Sequence, residues 1–241
     1  MHFPFNEISL YPGNFADELK GLRIVQLCDL HISQKMELSY LHQLIIKVNE
    51  QKPDLVVFTG DIIKNFAFKL RTQIGALKGL DAPAYYVSGN HDSFFGLRTL
   101  KRELALNNIS CIDNACAHLI FNDTPLQIIG LSNRYTKIKR DKRPIKELFS
   151  SLDENISTIL LAHQPKDVEL IEHSRIDIQL SAPTHNADAY AFHALLKKYQ
   201  PYYKGLYTRG KTLLYVSSGL NTSPFQLKRR SLSEIPIFTI Y

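Results

Sequence analysis

One pattern constrains this chain more than any other: short apolar runs that each stop on a metal-type side chain. Arg23-Ile24-Val25-Gln26-Leu27-Cys28 stops at Asp29-Leu30-His31. Leu55-Val56-Val57-Phe58 stops at Thr59-Gly60-Asp61, and Ala84-Tyr85-Tyr86-Val87 stops at Ser88-Gly89-Asn90-His91-Asp92. Between the first two runs, Leu38, Leu41, Ile45 and Val48 recur at helical spacing, and Lys52-Pro53-Asp54 ends that helix. Continuous apolar strands alternating with helices predict a sheet covered on both faces. In such sheets ligands bind at the carboxyl ends of the strands.

The second half is richer in strand. Pro125–Leu131, Thr158–Leu161, Ile176–Leu180, Lys211–Val216 and Ile235–Ile240 all read as strands. Pro236 suggests an edge position for the last. Two further strands end on imidazole: the run before His163 and the run before Thr184-His185. The first twenty residues are turn-rich around Pro12-Gly13-Asn14 and read as an N-terminal extension. No repeat or composition shift marks a boundary, so residues 1–241 read as one domain.

Composition excludes several classes. With 44% hydrophobic and 22% charged residues the chain is not disordered. No apolar run is long enough for a membrane span, and the first residues lack the basic and apolar segments of a signal peptide. The expected location is cytoplasmic or peripheral at a membrane. Cys28, Cys111 and Cys116 are too few and too scattered for a disulfide framework or a zinc ribbon. The net charge of +6 favours an anionic partner. Lys137–Arg143 and Lys228-Arg229-Arg230 are the densest basic runs, either solvated loops or contacts to an anionic lipid surface or substrate. Basic repeats interleaved with stacking aromatics are missing, so specific nucleic-acid binding is not expected. Tyr190, Phe192, Tyr202, Tyr203 and Tyr207 read mainly as core or cleft lining. Phe94-Phe95 reads as a helix-start core pair, with contact to a lipid or nucleobase as the alternative.

Five strand ends carrying Asp, His or Asn point to one convergent site. Mixed imidazole and carboxylate donors without Cys suit Mn²⁺, Fe or Zn²⁺ in a reactive rather than a structural site. Two such metals clamp an in-line displacement at phosphorus and generate hydroxide at neutral pH.

The full series, Asp29-x-His31, Gly60-Asp61, Gly89-Asn90-His91-Asp92, His163 and Thr184-His185, resembles the calcineurin-like metallophosphoesterases, and Gly21–Ile32 looks nearest to their bacterial membrane-associated branch. The likeness runs from about Gly21 to Ile240. It implies an α/β fold, a four-layer αββα sandwich of two mixed β-sheets flanked by helices. It implies that Asp29 and His31 hold a first metal, that Asp61 bridges, that Asn90 and His163 hold a second, and that His185 returns to the first. His91 would face the substrate as a catalytic residue, and Asp92 would orient it. The implied reaction is hydrolysis of a phosphodiester or pyrophosphate, in a phospholipid or nucleotide-lipid, by hydroxide generated at the metals.

One motif departs from the family. Its last signature is G-H-x-H followed by G-G-Q, and here Ser181-Ala182-Pro183-Thr184-His185-Asn186-Ala187-Asp188 stands in its place. Pro183 has no donor where the family has a ligand of the second metal. That metal then binds more weakly with water in the gap, or Asp188 or His193 replaces the ligand, or one metal remains and catalysis is impaired. The last case is the alternative reading: a metal or phospholigand-binding member of the family.

Overall fold

The computed structural model describes residues 3–133, 144–171, 175–183, 201–220 and 233–241. Two six-stranded mixed sheets form its centre. The first contains β1 (Phe5–Leu10), β2 (Arg23–Leu27), β3 (Leu55–Phe58), β4 (Ala84–Tyr86), β5 (Ile109–Cys111) and, from the end of the chain, β12 (Ile235–Ile240). The second contains β6 (Ala115–Phe121), β7 (Thr124–Leu131), β8 (Ser157–Ala162), β9 (Ile178–Ser181), β10 (Gly205–Arg209) and β11 (Thr212–Val216). The spatial orders are β1-β12-β2-β3-β4-β5 and β10-β11-β9-β8-β7-β6. Strands β2 to β5 are mutually parallel, as are β7, β8, β9 and β11.

The layering follows from the two-residue period of each strand. In β3, Leu55 and Val57 join the core between the sheets, where they meet Ile128, Ile159, Leu161, Ile178 and Leu180 of the second sheet. The alternate residues Val56 and Phe58 face the other way, onto Leu41, Leu44, Ile45 and Val48 of helix α1 (Leu38–Asn49). The helices α2 (Arg71–Gly75), α3 (Asn90–Phe94) and α4 (Leu97–Leu106) lie along the same half of the chain, and Ile74, Leu100 and Leu104 complete that outer layer. In β8, Ile159 and Leu161 face the inter-sheet core, while Leu160 and Ala162 pack under Leu148 of α5 (Ile145–Ser150). The result is the expected αββα sandwich.

Three expectations are corrected. The turn-rich N-terminus contributes β1, which pairs in parallel with β12 and forms the edge of the first sheet. Strand β12 is therefore internal, despite Pro236. Ile240 N donates to Leu22 O, so by alternation the nitrogen of Pro236 also turns toward β2. The pairing with β2 begins only at Ile237, so the donor that proline lacks falls just beyond that ladder. Phe94 is also not a core residue: it is 66% exposed, whereas Phe95 packs against the helical layer. Cys28 is buried, Cys111 and Cys116 are half-buried, and none forms a disulfide. No helix among the described residues is long and apolar enough to cross a membrane.

The inter-sheet core sets the spacing of the two sheets. Leu161→Ala is expected to destabilise the protein by about 2–5 kcal/mol, read as a lower urea midpoint with an unchanged slope.

Candidate metal centre

Parallel neighbours bring their carboxyl ends out side by side, and two of these ends, those of β2 and β3, continue as a ladder beyond the strands. Thr59 N donates to Leu27 O at 3.1 Å, Asp29 N to Gly60 O at 3.1 Å and His31 N to Asp61 O at 3.1 Å. Ile32 and Ile63 close it with an isolated parallel bridge. Within this ladder Asp29, Asp61 and His31 have φ of 54°, 54° and 46°. Left-handed backbone at a non-glycine residue costs about 1–3 kcal/mol and persists where surrounding structure enforces it, often at functional sites. Here it turns three side chains toward one point.

Asp29 and Asp61 are fully buried, and His31 and His163 nearly so. His31 Nε2 lies 3.5 Å from Asp29 Oδ1, and the His31 and His91 rings meet edge to face at 4.6 Å. The ligating atoms of His31, Asp61 and His91 lie within 4.8 Å of one another. His91 N donates to Asp61 Oδ1 at 2.9 Å, which fixes that carboxylate against the start of α3.

The second sheet supplies His163, just past β8. Its Nε2 lies 3.0 Å from Asn90 Oδ1 and 3.8 Å from Asp61 Oδ1. Its Nδ1 lies 2.8 Å from Thr59 O, which can only accept. That carbonyl makes Nδ1 the protonated nitrogen, so in a neutral ring Nε2 is an acceptor facing a second acceptor, Asn90 Oδ1. Either a cation between them or a second ring proton satisfies both. Burial pushes the His163 imidazole down, but the charges of Asp61 and Asp29 outweigh it and raise it overall. Imidazole nitrogens and carboxylate oxygens are the donors that divalent Mn, Fe and Zn accept, so the residues present fit such an ion.

Asp92 is fully buried. Its carboxylate accepts from Ile63 N at 3.1 Å, Gly89 N at 3.0 Å and Tyr86 Oη at 2.9 Å. The expected bond to the His91 ring is not among these, so Asp92 shapes the turn that presents His91 rather than gripping the imidazole. Desolvation, followed by the nearby charge of Asp61, raises its carboxyl to about 6.

Several supporting residues were not foreseen. A Cβ on Gly89 would stand 2.1 Å from Asp61 Oδ1, one on Gly60 2.6 Å from His163 Nδ1, and one on Gly219 2.9 Å from Asp29 Cβ. Only glycine permits these approaches. Gln26, fully buried between the sheets, donates to Thr59 Oγ1 at 2.8 Å and to Ser181 O at 2.9 Å. It thereby ties the end of β9 to the Asp61 turn. Ala182 is buried, its N–H donates to His163 O at 3.2 Å, and Pro183 follows half-buried. The Gly60-Asp61 and Gly89-Asn90 pairs carried a signal for the glycines; Gln26 carried none.

His185, Asp188 and His193 lie outside the described residues, as do Tyr190, Phe192 and both basic runs. Tyr202 and Tyr207 pack against the outer core of the second sheet, and Tyr203 is 38% exposed.

Residues 22–203 match the calcineurin-like phosphoesterase family. The chain belongs to that family. Calcineurin-like phosphoesterases use divalent metals and act on phosphorylated substrates. An uncharacterized metallophosphoesterase of Helicobacter pylori strain J99 is 30% identical over 92% of this chain and 60% of its own length. The chain thus spans about three-fifths of that relative. A probable glycerophosphodiester phosphodiesterase, GpdQ, of Arcobacter nitrofigilis is 37% identical over 46% of this chain and 43% of its own. In fold, the chain is similar to a dimetal phosphatase from Danio rerio, with a TM-score of 0.57 and 10% identity over 85% of this chain and 90% of that one.

The glycine approaches make a sharp prediction. Gly89→Ala should displace the Asp61 carboxylate and weaken Mn²⁺ binding by about 10–100-fold, as loss of a supporting partner does elsewhere. Calorimetric titration with Mn²⁺ would check it.

Proposed function

We propose that this metallophosphoesterase hydrolyses a phosphodiester or pyrophosphate, with a phospholipid or nucleotide-lipid as the favoured substrate class. The observation that carries the reading is the meeting of Asp61 with His31, His91, Asn90 and His163 at the ends of strands from both sheets. Asp29, His31, Asp61 and His185 would hold one ion, and Asp61, Asn90 and His163 the other; Mn, Fe and Zn suit this set. When bound, such ions supply a hydroxide nucleophile at neutral pH and offset charge on the phosphoryl oxygens.

The chain's own groups do the rest. Asp61 is held by the His91 N–H, so it stays oriented without a mobile side chain. Thr59 O fixes the His163 ring and leaves Nε2 pointing into the site. His91 is half-buried, as is Asn90, whereas Asp29, His31, Asp61 and His163 are buried, so the His91 ring can reach a substrate from the rim. It contributes an N–H to a phosphoryl oxygen and a proton to the departing oxygen. The similarity to a probable glycerophosphodiester phosphodiesterase supports a diester over a monoester.

His91→Ala is expected to reduce turnover of a bis-aryl phosphate by about 10²–10⁴-fold while bound metal is retained. Asp61→Ala should abolish both; activity that survives it unchanged would sink the reading.

A second reading rests on Pro183, which offers no side-chain donor at the end of β9. A chain that binds one metal and does not turn over would be a binding member of the family. Pro183→His is expected to raise metal stoichiometry toward two per chain and to increase turnover, measured by metal analysis and the same diester assay. No change in either would show that the lost ligand is immaterial.

A further inference from the structure

The helix that presents His91 also begins a chain of aromatic rings leading away from the site. Phe95 lies 5.9 Å from His91 between ring centroids. From Phe95 the contacts run to Phe66 at 5.7 Å and to Phe94 at 5.0 Å, and Phe68 stacks 5.9 Å from Phe66. Ala67 N donates to Phe95 O at 2.9 Å, which fastens the two ring-bearing loops together. Phe66, Phe68 and Phe94 are 49%, 57% and 66% exposed. Single exposed apolar residues are ordinary, but a contiguous group at one rim marks an interaction surface. Phenylalanine also has no polar tip through which water could bind it.

The charge around these rings has one sign. From Ile62 to Leu80 the chain carries Lys64, Lys69, Arg71 and Lys78 and no acidic residue, and Phe94–Arg102 adds Arg98, Lys101 and Arg102 with none. Arg71 and Arg102 pair with Glu103, and Lys101 with Asp113. Lys64, Lys69 and Arg98 have no ion-pair partner among the described residues. Lys69 Nζ stands 5.7 Å over the Phe68 ring, so a cation and an apolar face are presented together.

We infer that this rim docks on an anionic lipid bilayer. Phe66, Phe68 and Phe94 enter the boundary of the acyl chains, and Lys69, Lys64 and Arg98 meet headgroup phosphates. Apolar rings flanked by basic residues are the combination that holds proteins at such interfaces. A tail bound by the protein alone would call for an enclosing pocket, whereas these rings project outward. Docked this way, the chain holds His91 beside the surface from which a phospholipid would be drawn. The inference rests on the proposed lipid substrate only for that last step; docking itself needs no turnover.

The test is sedimentation of the full chain with vesicles of phosphatidylglycerol and phosphatidylcholine in equal parts, against phosphatidylcholine alone. Wild type, the F66S/F68S/F94S variant and K69E are compared, with vesicle-free bis-aryl phosphate turnover measured in parallel. Wild type should bind the anionic vesicles at least about tenfold more tightly than the neutral ones. The triple variant should lose at least about tenfold in vesicle affinity and keep its turnover. K69E should weaken binding most at low salt. Should the triple variant not fold, Phe94→Ser alone beside K69E carries the same comparison. Absent vesicle binding, or equal binding by wild type and the triple variant, overturns the inference. So does a raised KM for the aryl ester without vesicle dependence, which assigns the rings to the substrate, or self-association lost in the triple variant, which assigns them to a second copy. Vesicle pelleting reads without catalysis, so failure of the phosphoesterase reading leaves this result distinct.

Discussion

Two fully buried carboxylates, Asp29 and Asp61, govern this structure. Burying charge is expensive unless partners and hydrogen bonds compensate it. Part of the compensation is built into the backbone: His91 N–H meets Asp61, and the left-handed turn at His31 aims its imidazole at the same region. A divalent cation held as proposed would add to it. The strands, the sandwich and the glycine approaches all hold those two charges close to one another.

This explains why the ladder of β2 and β3 continues beyond the strands. Asp29 N to Gly60 O and His31 N to Asp61 O are ordinary backbone bonds, yet each fixes a candidate ligand relative to the next strand. For these residues the placement along the strands comes from the sheet's own backbone bonds. The same logic explains Asp92, whose carboxylate is consumed by two backbone N–H groups and Tyr86. It sets the shape of a turn, and the turn sets His91.

Much of this was legible in the residues. The buried strands announced themselves because both faces are covered, so Leu55–Phe58 and Thr158–Leu161 are apolar throughout. The candidate ligands were legible because they terminate those runs. Strand β1 was not, since Phe5–Leu10 pairs along one side only and does not alternate cleanly. Pro236 misled because a missing donor matters only where a neighbour pairs with it, and the ladder between β12 and β2 begins one residue later, at Ile237. Gln26 and Thr59 escaped because their roles lie in contacts to residues more than thirty positions away. Phe94 was misread because its neighbour Phe95 is the one that packs inward, and period alone does not distinguish adjacent rings at the end of a five-residue helix.

The bond from His163 Nδ1 to Thr59 O joins the two sheets at the site itself. Hydrogen bonds lose strength steeply with distance and angle. The spacing of the sandwich therefore acts as a ruler for the chemistry. A change deep in the inter-sheet core, far from any candidate ligand, alters the gap between these two atoms before it unfolds anything. Among variants of this chain, metal affinity should then be a finer gauge of core packing than melting is, and the layers that seem merely to support the site are part of its calibration.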